Sequence, residues 1–241
     1  MGYRDYIKRV KEELSLLRVS QRDAVDSAAR LIADSIMAGG IIQTFGSGHS
    51  NIGSTEIVAR AGGLIPTKEI VFPKSAQFEM VEGLGTRLVE NVDVRPEDVF
   101  VIISYSGRNP LPIEVAAWVK EQGNPLIVVT SLDNSKQLTS RHSSGKMVYQ
   151  FADVILDVKG PMGDAAMEVP GLDTKVCPIS TMTTAVLVNS MILRSLEIMV
   201  ERGYHPPVFM SDNLDGGPEY NKRLQDQYAE RIYMNDTFPG S

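Results

Sequence analysis

The chain has 241 residues, 43% hydrophobic and 22% charged, which supplies the core of one α/β domain with appendages. A net charge of −6 and a pI near 5.2 exclude a general electrostatic grip on nucleic acid or an anionic membrane, because both rest on clustered lysine and arginine. The single cysteine, Cys177, excludes an internal disulfide and fits a structural thiol; the three scattered histidines, His49, His142 and His205, offer no metal-ligand spacing. The start Met1-Gly2-Tyr3-Arg4-Asp5-Tyr6 has no apolar signal core, and no run reaches membrane-spanning length, so a cytoplasmic protein is expected.

In chain order, Ile7, Val10, Leu14 and Leu17, then Val25, Ala28, Ile32 and Ile36, recur at helical spacing with charges between them. One amphipathic helix or a pair is predicted over residues 1–38, burying its stripe on the domain or on another subunit, and Gly39-Gly40 ends it. Ile41 to Phe45 predicts a strand, Asn51 to Ala61 a helix, Leu64 to Thr67 a second short strand, and Ser75 to Val89 a helix carrying Glu79 and Glu82 one turn apart. Val99 to Ser104 predicts the clearest strand. Asn109 as cap, Pro110 at the first helical position and Glu114 near the dipole start the helix that runs to Gly123. Strands over Leu126 to Thr130 and Val154 to Val158 complete an alternation that requires a parallel sheet. Lys159 to Pro178 is a long Gly- and Pro-containing insert, expected to be a lid or a subunit contact. Ile179 to Val200 is apolar nearly all round, which predicts a helix packed on both the sheet and a partner. A tail with a helical stretch over Glu219 to Ile232 follows. The expected organisation is a helical segment 1–38, a core domain 39–203 and an extension 204–241.

Two loops carry the chemistry. Phe45-Gly46-Ser47-Gly48-His49-Ser50 and Ser104-Tyr105-Ser106-Gly107-Arg108-Asn109-Pro110 each follow a strand and lead into a helix. Glycine lets the backbone approach a ligand, serine donates hydrogen bonds to anionic oxygens, and the helix start adds unpaired N–H groups. A pair of such loops on strand ends predicts one phosphate-binding crevice, lined from two sides.

On these loops, and on the order of elements over roughly residues 30 to 200, the sequence resembles the SIS (sugar isomerase) domain family. Including its Asp215-Gly216-Gly217-Pro218-Glu219-Tyr220-Asn221 tail, it is most similar to a bacterial group of phosphosugar-binding SIS proteins related to phosphoheptose isomerases. The resemblance implies a three-layer α/β sandwich with a five-stranded parallel sheet in flavodoxin-like order. It also implies a sugar-phosphate ligand, no nucleic acid or membrane partner, no cofactor or metal, and a homodimer or tetramer with shared active sites. By the resemblance Ser47 and Ser50, with Ser104, Ser106 and Asn109, would hold the phosphate and neighbouring hydroxyls. Beside it, Gly48 and Gly107 belong to the same binding loops, and His49 is placed to donate to the phosphate. Arg108 either contacts it or faces solvent or a second subunit, and Thr183, with Thr181 and Thr184, either touches the sugar or caps its helix. The implied activity is metal-independent aldose–ketose isomerisation. The alternatives are a non-catalytic sensor and, from the closeness of Ser106-Gly107-Arg108-Asn109-Pro110 to the Ser-Gly-Arg-Thr-Pro pattern of N-acetylmuramic acid 6-phosphate etherases, a lyase.

Isomerisation needs a base and an acid beside the sugar. The glutamate and histidine of phosphoheptose isomerases fall by spacing near Arg60 and near Thr183 or Thr184, so neither is present. Candidate replacements are Glu82 first, then Glu56 on the helix after the first loop, and His205 reaching a neighbouring crevice.

Overall fold

The computed structural model describes residues 2–233. Residues 234–241, the end of the tail, lie outside the described residues.

The amino-terminal stripe forms two helices, α1 (Tyr3–Ser20) and α2 (Arg22–Met37), separated at Gln21. The core then runs β1 (Ile42–Gly46), α3 (Asn51–Ile57), β2 (Thr67–Glu69), α4 (Ser75–Phe78), α5 (Leu84–Val89), β3 (Val99–Ile103), α6 (Pro110–Gln122), β4 (Leu126–Thr130), α7 (Leu132–Gln137) and β5 (Val154–Asp157). An antiparallel hairpin, β6 (Ala165–Met167) with β7 (Val176–Pro178), leads to α8 (Ser180–Glu201); the tail holds α9 (Gly217–Gln225) and α10 (Ala229–Ile232).

The main sheet has the order β2-β1-β3-β4-β5, and all its pairings are parallel. This is the flavodoxin-like order. Successive side chains of a strand face opposite sides, and β3 divides accordingly. Val99, Val101 and Ile103 join the core formed with α2, α3 and α8, whereas Phe100 and Ile102 join the one formed with α5 and α6. Both faces are covered, so β3 is apolar throughout rather than alternating, and the polar side chains buried on β1 are paired, Gln43 with Asp98 and Thr44 with Ser54.

Several elements depart from the sequence reading. The predicted helix over Ser75 to Val89 is two short helices: α4 ends at Phe78, and Gly83, at φ +89, precedes α5. Glu114 does not serve its own helix: it crosses to accept the N–H groups of Gly83, Gly85 (2.7 Å) and Thr86 (3.0 Å), capping α5. The second strand falls at Thr67–Glu69, while Leu64 bridges the tail at Val208. Helix α3 stops at Ile57, and the insert is a hairpin rather than an irregular loop. Among the described residues, α8 is the one helix long and apolar enough to cross a membrane, in contrast to the reading that no run is; 50% of that stretch is buried, through packing on α2 and α3.

Candidate functional site

In the register of β1 against β3, Gly46 lies beside Ile103, so the next residues, Ser47 and Ser104, leave the sheet side by side. Strand order reverses between these two strands. Ligands of open parallel sheets bind at the carboxyl ends of the strands at this reversal, where the diverging connections leave a crevice. Gly48 (φ +58) and Gly107 (φ +63) take the left-handed conformation that lets each loop turn back over its strand.

The crevice is a cavity of about 360 Å³. Its floor is apolar, from Ile103, Val129 and Val158; the walls carry Ser47, Ser50, Ser104, Ser106, Thr181 and Thr184. Glu79, on the turn after α4, joins the two loops: its Oε2 accepts from Ser47 Oγ and its Oε1 from Asn109 Nδ2, both at 2.8 Å. Asn109 therefore precedes α6 without capping it through its side chain; its Oδ1 instead accepts from Arg141 Nη1 at 3.0 Å. Ser104 Oγ accepts the N–H of Gly107 at 3.3 Å, which shapes the second loop. The hydroxyls of Ser50 and Ser106 meet no hydrogen-bond partner among the described residues and border the cavity.

The hairpin insert supplies Gly163 and Asp164 to the lining. Asp164 Oδ1 accepts the N–H groups of Ile179 (3.1 Å) and Ser180 (2.8 Å), and its Oδ2 accepts Ser180 Oγ (2.6 Å), so it caps α8 at the cavity edge. Tyr105 donates to Pro161 O at 2.6 Å and anchors the start of the insert; burial pushes its hydroxyl from 10.0 up to about 12.

Of the residues singled out in the sequence, Ser47, Gly48, His49, Ser50, Ser104, Ser106 and Asn109 line the cavity, with His49 at its exposed rim. Gly107 shapes the second loop from behind, donating its N–H to Ser104 and offering its carbonyl to Val148 N at 2.9 Å. Arg108 turns aside: Nη2 reaches Thr139 Oγ1 at 3.4 Å, and Nε is buried with no partner among the described residues. Thr183 is fully buried and its hydroxyl donates back to Ser180 O at 3.1 Å, so Thr181 and Thr184 face the cavity in its place.

Neither Glu82 nor Glu56 lines this cavity, and His205 does not line that of its own chain. Glu82 is exposed and accepts from Ser143 N (2.6 Å) and Ser143 Oγ (2.7 Å); that hydroxyl and that N–H hold its carboxyl below the usual range. Glu56 pairs with Arg60 and accepts from Asn189 Nδ2 at 2.8 Å. His205 follows the far end of α8; Thr184 and Arg202 are ~27 Å apart along a helix rising 1.5 Å per residue. Glu79 is the glutamate that borders the cavity. Among the described residues, no cluster of His, Cys, Asp or Glu is arranged to hold a metal ion.

Residues 5–131 match the SIS domain family. The chain belongs to it. A UPF0309 protein of Listeria monocytogenes is 48% identical over 228 residues, covering 95% of this chain and 97% of that protein. The SIS fold is shared with phosphoheptose isomerase GmhA from Neisseria gonorrhoeae (TM-score 0.57, 17% identity, covering 81% of this chain and 97% of that one). It is also shared with the NanR protein of Vibrio vulnificus in complex with ManNAc-6P (TM-score 0.51, 14% identity, 95% of this chain and 68% of that one).

Proposed function

We propose that the crevice binds a phosphorylated sugar and that Glu79 carries out proton transfer on it, making the protein an aldose–ketose isomerase of the cytoplasm. The observation that carries this reading is the bridge: one carboxylate, oriented by a serine of the first loop and the asparagine of the second, borders the cavity that both loops line. The hydroxyls of Ser50, Ser104 and Ser106 and the loop N–H groups receive the phosphate, since neutral donors bind a dianion where helix starts converge. Glu79 then removes the proton from the carbon beside the carbonyl. The C–H electron pair becomes the C=C bond while the carbonyl π pair moves onto the carbonyl oxygen, giving an enediolate. A proton passes by way of solvent from the neighbouring hydroxyl to that oxygen, and Glu79 returns its proton to the former carbonyl carbon. Ser47 and Asn109 hold the carboxylate still through both transfers, which is what a positioned base requires. Val186, Leu193 and Val200, exposed at seven-residue spacing on α8, support pairing of two copies along that helix as a homo-oligomer.

The test is NMR in D₂O with sugar phosphates chosen by thermal shift, a bound ligand raising the melting temperature. Deuterium enters C1 or C2 with the native protein; Glu79→Gln lowers that rate about 10²–10⁴-fold, while Glu82→Gln, placed against Ser143 outside the cavity, leaves it within about twofold. Unchanged exchange in Glu79→Gln removes the acid–base assignment. A second reading, a sugar-phosphate sensor without chemistry, is favoured by the fold shared with NanR bound to ManNAc-6P and by arginine and threonine at the positions of the isomerase pair. Tight binding with no deuterium uptake identifies it.

A further inference from the structure

The charge lining the crevice is one-sided. Glu79 and Asp164 are its acidic residues, no lysine or arginine lines it among the described residues, and the imidazole of His49 stands at its exposed rim. Arg141 stops at Asn109 Oδ1, and Lys159 is turned to Asp157 (2.7 Å) and Asp133 (3.7 Å). Serine hydroxyls and N–H groups solvate a phosphate but bring no countercharge for the two carboxylates. A ligand carrying phosphate alone would add like charge to a cavity of about 360 Å³. A ligand that also carries an ammonium group brings the missing cation with it.

On the reading of the crevice as a sugar-phosphate site, we infer that its ligand is an amino sugar phosphate whose protonated amine is received by Asp164. Three hydrogen bonds, from Ile179 N, Ser180 N and Ser180 Oγ, fix this carboxylate at the start of α8. A carboxylate has about four acceptor positions, so one is left for the cavity that Asp164 borders. The two serine loops line the same cavity, so one ligand meets them with its phosphate and Asp164 with its amine. The hairpin insert is the device that brings this group in: Gly163 and Asp164 line the cavity, and Tyr105 and Asn134 hold Pro161 O at 2.6 and 3.1 Å.

Calorimetry at pH 7 with glucosamine 6-phosphate, N-acetylglucosamine 6-phosphate and glucose 6-phosphate separates the charge from the ring and the phosphate. The native protein binds the free amine at least about tenfold more tightly than the other two, as a charge-assisted contact requires. Asp164→Asn reduces that preference to about twofold and leaves the affinity for glucose 6-phosphate no weaker. Asparagine suits this test: it tolerates the φ of +70 found here, its oxygen accepts both N–H groups, and its amide donates to Ser180 Oγ. Equal affinities, or tighter binding of the N-acetyl sugar, overturn the inference and leave the sugar-phosphate reading standing. A preference for the amine that survives Asp164→Asn overturns Asp164 as its receiver. Binding of none of the three, nor of any sugar phosphate in the thermal-shift set, overturns the sugar-phosphate reading and this inference with it.

Discussion

At the amino ends of the strands, Asp98 is fully buried and both its oxygens are occupied. Oδ1 accepts from Ile41 N at 3.0 Å; Oδ2 accepts from Gln43 Nε2 (2.9 Å), Arg95 N (3.0 Å) and Arg231 Nη2 (2.7 Å). At the carboxyl ends, Glu79 has two donors, Asp164 three, and both border an open cavity. The same residue chemistry thus serves two purposes. A carboxylate saturated by backbone, amide and guanidinium donors locks the start of β3 to β1 and to the tail helix α10. One with acceptor capacity left over, facing a cavity lined by unpartnered hydroxyls, is free to meet a ligand.

Breaking the closed end should have the largest effect on stability. Asp98→Ala leaves Arg231, 6% exposed, short of its buried partner, although Asp93 still accepts from its Nε at 2.7 Å. Denaturant unfolding should show a loss of about 3–5 kcal/mol, the range for removing one member of a buried ion pair. A loss below about 1 kcal/mol would show that the saturated hub contributes no more than a surface pair does.

A smaller effect, visible only in alkali, belongs to the open end. Tyr105 ionises near 10.0 when unfolded and at about 12 when folded. A raised folded pKa means the contribution to stability is complete below pH 10 and is lost as pH climbs through 10 towards 12. Melting temperatures from pH 9 to 11.5 should fall less steeply for Tyr105→Phe than for the native protein. Equal slopes would place the tyrosine in a more solvated wall.

How much of this was legible in the sequence follows from which interactions are local. The strand-loop-helix units were readable, because glycine, serine and proline act on their immediate neighbours, and alternation of elements set the parallel sheet. The carboxylates were not. A continuous helix over Ser75 to Val89 would put Glu79 and Glu82 on one face, but α4 ends at Phe78, before either of them, and Glu82 meets Ser143, 61 residues away. Asp164 gave no signal at all, since it caps a helix that begins 16 residues later across a hairpin. Its nearest sequence cue is the Gly163-Asp164 pair, a turn signal that says nothing of what the carboxylate will reach. His205 is expected from the sequence to reach a neighbouring subunit's crevice; within its own chain, 22 residues of helix carry it to the other end of the sheet.

The most direct measurement of the central claim is the affinity of the double variant Ser50→Ala/Ser106→Ala for the sugar phosphate that most stabilises the native protein, read by calorimetry beside its melting temperature. Each lost hydrogen bond to a charged group is worth about 1.5–3 kcal/mol, so affinity should fall at least about a hundredfold. The melting temperature should stay within about 2 °C, because neither hydroxyl has a partner within the described fold. Native affinity in the double variant would contradict the account, and with it the assignment of the paired loops as the phosphate site.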